Sequence, residues 1–498
     1  MRSCMSTDTH SPDPENRTPS SVPATEKAGM NGPPCACRGI DRRAFLSRAA
    51  GGVGLLSLAH LLNEELPHSA RAADSATVRA KSVICLFQHG GPSHIDLCDP
   101  KPALKKWHGQ PYPDGEVEVH FHGEQGNVLA SPFNYHKCGD SGIELSELLP
   151  YTGQIADDIT LIRSMTTDVV DHENALRLIH TGRVQAGFPT WGSWVVYGLG
   201  NESHELPAYL VLSDPGGLPV DGSRNWSSGW LPAVTQGTVL RTSDPSPIVN
   251  LQMPPGTRPE ARAQQLQFLD QLNRHHREQF PENQELAARI ANFELAARMQ
   301  TAIPHALDLA QETAAIQQMY GLDRPETREY GTRCLLARRL VERGVRFVQL
   351  FLQGQPWDTH SNNDHGHRDL CARTDQPVAA LVRDLKQRGL LESTIVIWGG
   401  EFGRLPISQK ENGRDHNRHG FSLWIAGGGF KSGYVHGATD DFGYKAVENI
   451  VTVHDLHATL LQALGLNHRR LAFPHDGIQT TLTDVSVTKA RVIADLLA

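Results

Sequence analysis

Ser82-Val-Ile-Cys-Leu-Phe-Gln88, followed at once by His89-Gly-Gly-Pro-Ser-His94-Ile-Asp96, is the stretch that decides the fold. Five consecutive apolar residues without polar alternation suit a strand buried on both faces, as in a largely parallel sheet covered by helices. Glycine, histidine and aspartate come directly after it. In open α/β sheets ligands bind in the crevice at the carboxyl ends of the strands, so this junction is where chemistry is expected.

The same pattern recurs along the chain. Ile159–Arg163, Ala208–Leu212, Val345–Leu352, Thr394–Trp398 and Phe421–Ala426 are further apolar runs of strand length. Thr166, Thr167, Asp168, Asp171 and His172 follow the first of these. Asp358, Thr359, His360, Asn362, Asn363, Asp364, His365 and His367 follow Val345–Leu352, and Gly399-Gly-Glu401 with Arg404 follows Thr394–Trp398. One polar cluster, Arg414-Asp-His-Asn-Arg-His419, precedes its strand instead. The expected fold is therefore α/β, a three-layer α/β/α sandwich over 78–498 with a mostly parallel sheet, its distant polar residues converging on one site. Helices are predicted over Asp375–Arg388, where Val378, Leu381, Val382 and Leu385 share a face, and over His454–Leu464, with Thr452 as N-cap and Asp455 completing a capping box. The Gln-, Ala-, Leu- and Arg-rich stretch at about 258–339 reads as a helical insertion. Within it His275 and His276 are expected to face solvent.

Composition narrows the function. A net charge of −8 over 498 residues, without basic clusters, speaks against nucleic-acid binding. The 25 histidines lean towards a metal site. Of eight cysteines, Cys4, Cys35 and Cys37 lie in the leader; the five that follow imply no complete disulfide framework, and a Cys98–Cys138 bridge stays open. Residues 1–40 are polar and rich in Pro, Ser and Thr. Asp41-Arg-Arg-Ala-Phe-Leu46 then introduces a weakly apolar run, Ala49–Leu62, ending near Ala70-Arg-Ala72. A twin-arginine export signal over 1–72 is the expectation, with the twin-arginine translocase as partner and a periplasmic or extracellular destination. The apolar run is shorter than the roughly 20 residues of a membrane span, so no transmembrane segment is expected in the mature chain.

His89-Gly-Gly-Pro-Ser-His94, Arg163-Ser-Met165, Trp357-Asp-Thr-His360, Gly400-Glu-Phe-Gly-Arg404, Gly413-Arg-Asp-His416, Ala426-Gly-Gly-Gly429, Gly437-Ala-Thr-Asp440 and His454-Asp-Leu-His457 together resemble the alkaline phosphatase superfamily. Within it, the sequence is similar to an exported, sulfatase-like bacterial family, domain of unknown function 1501. The resemblance implies a hydrolase of phosphate or sulfate esters, those of glycans included, with one or two divalent cations at the strand ends. It implies Asp358 and His360 as ligands, Glu401 in the place of a further carboxylate ligand, and His416 or His419 as the final one. His89 or Asp96 would supply the first strand's ligand, and Asp415 metal or substrate contact. A mixed imidazole and carboxylate set would suit Zn²⁺, Mn²⁺ or Fe, whereas an all-oxygen set would suit Mg²⁺ or Ca²⁺. His172 falls at or near the superfamily's nucleophile position, with Ser93 as a second catalytic candidate. Arg404, Arg414 and Trp226 are expected on the substrate side, Trp226 in an aromatic lid with Trp230. One departure matters: the Cys-x-Pro-x-Arg stretch of formylglycine sulfatases is missing, and Cys98-Asp-Pro-Lys-Pro102 comes nearest. The alternative is a catalytically silent binding protein on the same fold, holding an anionic glycan or a metal.

Overall fold

The structure, a computed structural model, describes residues 80–498 apart from 243, 245–246, 249–255, 257 and 282–283. The leader with Arg42-Arg43, Ala70–Ala72 and the cysteines at 4, 35 and 37 lies outside the described residues. Strand β1, Ser82–Phe87, is buried along its whole length. Its neighbours are β5, Phe347–Leu350, and β6, Thr394–Gly399, both parallel to it, with Leu86 opposite Leu350 on one side and Trp398 on the other. The central sheet's other strands are β2 (Ile159–Thr166), β3 (Tyr209–Leu212), β4 (Thr238–Leu240), β7 (Phe421–Ala426), β8 (Tyr434–His436) and β9 (Val451–Thr452). Among the described residues they form a nine-stranded sheet in the order β8-β2-β7-β6-β1-β5-β3-β4, with β9 also beside β2.

Alternation along β1 divides the core in two. Ile84 and Leu86 face helices α5 (Pro325–Glu342) and α6 (Asn363–Gln387), where Leu335, Leu340, Val378, Leu381 and Leu385 are buried. Val83, Cys85 and Phe87 face α1 (His172–Thr181), α2 (Trp191–Leu199) and α7 (Val453–Ala463), with Leu176, Trp191, Trp194 and Leu460. This is the expected α/β/α sandwich. Each such Leu, Ile or Phe contributes about 1.5–3 kcal/mol by leaving water. Helix α7 carries the predicted capping box between Thr452 and Asp455.

Every neighbouring pair in the sheet is parallel except those of β7, which runs antiparallel to both β2 and β6. That reversal accounts for the polar cluster that precedes its strand. The amino end of β7 lies at the edge where β1, β2, β5 and β6 have their carboxyl ends. Helix α6 begins twelve residues before the predicted start, so His365 and His367 belong to its first turns. In the helical stretch, α3 (Pro259–Gln279) is largely exposed, and α4 (Gln284–Leu307) reaches the core only through its last turns, at Met299, Ile303 and Ala306. Helix α5, by contrast, is buried under the sheet and leads directly into β5. His275 and His276 are exposed on α3.

Candidate metal centre

Four side chains meet at the carboxyl edge of the sheet: His172, Asp358, His360 and His416, whose ligand atoms all lie within 4.8 Å of one another. His172 opens α1, just past the N-cap Asp171, whose carboxylate accepts from Asn174 N. Asp358 and His360 sit on the loop between β5 and α6. That loop is tied to the end of β1 by Trp357 N donating to His89 O at 3.1 Å, and by Trp357 Nε1 donating to Gln88 Oε1 at 3.0 Å. Gly90, at φ +106°, makes this approach possible, since a Cβ there would lie 2.5 Å from Asp358 N. His416 belongs to a two-residue ribbon in which it pairs with Arg404. Gly413 lets the preceding turn press on the Asp358 loop: a Cβ would fall 1.9 Å from His360 O.

All three imidazoles point Nε2 at one atom. Asp358 Oδ1 lies 3.2 Å from His172 Nε2, 2.8 Å from His360 Nε2 and 3.1 Å from His416 Nε2. Behind each ring, Nδ1 has an acceptor of its own. His172 Nδ1 donates to Glu401 Oε1 at 2.7 Å and His416 Nδ1 to the Val170 carbonyl at 2.7 Å. His360 Nδ1 donates to Gln409 Oε1. The Gln409 amide orientation follows from its Nε2, which donates to Glu124 Oε2 at 2.6 Å. With every Nδ1–H committed, neutral rings present three Nε2 lone pairs to a carboxylate oxygen. These groups repel one another unless added protons or a cation stand between them. Imidazoles fixed through their other nitrogen by a carboxylate, an amide or a carbonyl are the usual support of a metal site, and this donor set fits a divalent ion.

The electrostatics agree. Burial would raise the Asp358 carboxyl, yet the facing His172, His360 and His416 rings, when protonated at Nε2, and the charge of Arg404 hold it far below the usual carboxylate range. Burial works against protonation of His172, but Asp358 and Glu401 outweigh it and raise its pKa to about 9. His416 goes the other way: burial lowers it to about 4, with Asp358 opposing. The field that draws a proton onto His172 also favours a cation.

The other expected site residues fall elsewhere. Glu401 stands behind His172, its carboxylate also accepting from Gly90 N at 2.9 and 3.2 Å. Asp96 forms a fully buried pair with Arg414 at 2.7 Å, and also accepts from Ser93 Oγ at 2.6 Å and Asn363 Nδ2 at 2.9 Å. This network occupies Ser93, Asp96 and Arg414 together and joins the turn after β1 to the start of α6. Arg404 is fully buried; it donates to Gly91 O, to Arg414 O and to Asp358 Oδ1 at 2.7 Å, stitching three loops. Asp415 accepts from backbone N–H groups, its own neighbour's and those of His120 and Phe121. His419 pairs with Glu118 at 2.6 Å. His89 is buried with neither ring nitrogen hydrogen-bonded, between Phe87 and Phe351, and burial lowers its pKa to about 4. Trp226 is buried against Phe351, away from any sugar-stacking surface. His454 and His457 bond the Gly182 and Ile179 carbonyls. Cys98 and Cys138 are free thiols, as are Cys85, Cys334 and Cys371. Sequence reasoning missed Gln409, Glu124 and Val170, which orient two of the rings, and His120 and Phe121, which lie against them.

The chain belongs to the family described as a protein of unknown function, DUF1501, whose family model matches residues 80–497. No curated protein matches its sequence. Among solved structures it is similar to the PsFucS1 sulfatase from Pseudoalteromonas sp., at 12% identity over 78% of this chain and 68% of that chain with a TM-score of 0.33. A sulfatase structure from Bacteroides thetaiotaomicron, BT33494S-sulf, aligns at 12% identity over 84% and 76%, with a TM-score of 0.37. The TAB5 alkaline phosphatase, in a His-to-Asp mutant with magnesium bound, aligns at 10% identity over 78% and 99%, with a TM-score of 0.33.

Proposed function

We propose that this protein is an exported, metal-dependent hydrolase of phosphate or sulfate esters, with His172, Asp358, His360 and His416 holding one divalent ion. The observation that carries the reading is the convergence of three Nδ1-anchored imidazoles on the Asp358 carboxylate. Three nitrogens and one oxygen suit Zn²⁺ first, then Mn²⁺ or Fe, and disfavour Ca²⁺. Such an ion supplies Lewis acidity and a template for the ester oxygens. The chain's own residues do the rest. Glu401 and Gln409 fix two rings, Arg404 balances the charge of Asp358, and the Phe402 ring, packed 4.8 Å from His172 and 4.5 Å from His416, keeps water from the inner side.

In this reading His172 gives Nε2 to the ion with Nδ1 held by Glu401, and Ser93 donates to Asp96, so neither attacks the substrate and water is the nucleophile. The same two observations favour the second reading, a protein that binds an oxyanion at the metal without turnover. Export rests on Arg42-Arg43 and Ala70-Arg-Ala72 in the leader; no helix among the described residues is long and apolar enough to cross a membrane. Metal analysis of protein purified from its native compartment, beside a panel of 4-nitrophenyl and alkyl phosphate and sulfate esters, tests the proposal. One equivalent of metal is expected in wild type and in His275→Ala, with loss in Asp358→Ala and His360→Ala. Equal metal in all four overturns the ligand set, and a loaded protein inert towards every ester overturns the hydrolase and leaves the binding reading.

A further inference from the structure

Residues 118–124 belong to a loop that no sequence motif singles out, and beside anchors on Tyr444 and Lys410 several of its contacts land on the metal centre's own supports. Glu118 pairs with Arg418 at 3.0 Å and with His419 at 2.6 Å, two and three residues past His416. Glu124 holds Gln409, the residue behind His360. Between them, Asp415 Oδ2 accepts from His120 N at 2.7 Å and Phe121 N at 3.0 Å, while its Oδ1 accepts from His416 N at 2.8 Å. One carboxylate therefore joins the peptide of a ligand histidine to the peptide of the loop.

The side chains so placed lie against the cluster. The His120 ring stacks on His416 with centroids 5.0 Å apart and planes 18° apart, and Phe121 meets His360 edge-on at 4.9 Å. Buried Phe402 also packs against His416, with ring centroids 4.5 Å apart. Exposure shows which side a ligand can reach: the His416 side chain is 2% exposed, whereas His360 is 21% and Phe121 40% exposed. The open side is the one that the loop borders. His120 is half-buried there, and neither of its ring nitrogens has a hydrogen-bond partner among the described residues.

Resting on the metal reading above, we propose that this segment is the substrate-side wall of the centre. In it, the His120 imidazole hydrogen-bonds a non-bridging oxygen of the tetrahedral phosphate or sulfate group, and Asp415 is the positioning residue that holds His120 in place. A hydrogen bond to a charged oxyanion is among the stronger polar contacts. Loss of His120 is expected to weaken oxyanion binding about tenfold, or about 1.4 kcal/mol. Towards the oxyanion Asp415 acts through the wall, while its bond to His416 N bears on the metal and is read from metal content, so its loss adds nothing to phosphate binding once His120 has gone.

Inorganic phosphate titrated calorimetrically into metal-loaded wild type, His120→Ala, Asp415→Asn and the double variant tests this, with metal content measured on each sample. The expected result is full metal in all four, about tenfold weaker phosphate in His120→Ala and in Asp415→Asn, and a double variant no weaker than His120→Ala. Phosphate affinity unchanged in loaded His120→Ala overturns the contact, as does a loaded wild type that binds no phosphate. Fully additive losses, or metal lost from Asp415→Asn, overturn the positioning role. Failure of the hydrolase reading looks different: a wild type that turns over no ester but loses phosphate affinity on His120→Ala keeps this wall and discards catalysis.

Discussion

Glu401→Gln separates a ligand's support from a ligand. Glu401 is fully buried and touches the centre through His172 Nδ1 at 2.7 Å. Glutamine keeps the size and one acceptor oxygen, so the ring stays oriented, but the charge behind it is lost. Burial opposes ionisation of Glu401, yet the bond and charge of His172 hold its pKa below the ordinary value, so wild type carries the full negative charge near neutral pH. A hydrogen bond to a charged group is worth about 1.5–3 kcal/mol, and a neutral one about 0.5–1.5 kcal/mol. The difference, roughly 1–1.5 kcal/mol, corresponds to about a tenfold loss of metal affinity, at the lower end of the about 10–100-fold cost of outer-shell changes. Competition against a chromophoric chelator measures the affinity directly, and melting of the metal-free proteins confirms that the variant folds. Unchanged affinity would remove His172 from the ligand set. A loss beyond about a thousandfold would make Glu401 a ligand itself, the role the family resemblance implies for it.

Two further outcomes are expected. Asp375 is buried under Tyr151 and Thr152, and burial raises its pKa to about 6 against the ordinary 3.8, with the hydrogen bonds of those residues opposing. Because the folded state then holds the proton more tightly than the unfolded state, this group's stabilisation is present below about pH 4 and falls away by about 3 kcal/mol as pH rises through 6. Denaturant titrations at pH 4 and pH 7 should therefore show the stability difference between Asp375→Asn and wild type moving in the variant's favour by about that amount; a constant difference would mean that Asp375 ionises normally. For export, Arg42→Lys with Arg43→Lys should trap the precursor in the cytoplasm, and the wild-type mature chain should begin close to Ala73 by intact mass. An exported chain that retains its leader would refute the signal.

What was legible in the sequence follows from what strand periodicity encodes. Runs such as Ser82–Gln88 and Phe421–Ala426 announce themselves because a strand buried on both faces admits no polar residue, and the polar residues that follow are pushed to the sheet edge. His172, expected as catalytic, and Asp358, His360 and His416, expected with several others as ligands, are among the polar residues beside these runs, and the structure brings those four together. The direction of β7 was not legible, since an apolar run reads alike either way; only its pairing with β2 and β6 shows why His416, ahead of its strand, shares an edge with Asp358, behind its own. Nor does spacing separate a carboxylate that faces a ligand from one that faces an arginine. Asp96 and Asp358 both follow strands, but Arg414 reaches Asp96 across more than three hundred residues and takes both its oxygens. Arg404 takes one oxygen of Asp358 and Gln355 the other, while three imidazoles still converge on the first. The orienting groups were hidden for a related reason. A backbone carbonyl such as that of Val170 has no signature, and Gln409, Glu124 and His120 lie on hairpins and loops whose place depends on tertiary contacts rather than on any period in the chain. The four ligand candidates belong to the strand edges, whereas the choice among neighbouring carboxylates and the rotation of each ring are set by contacts made across the whole fold.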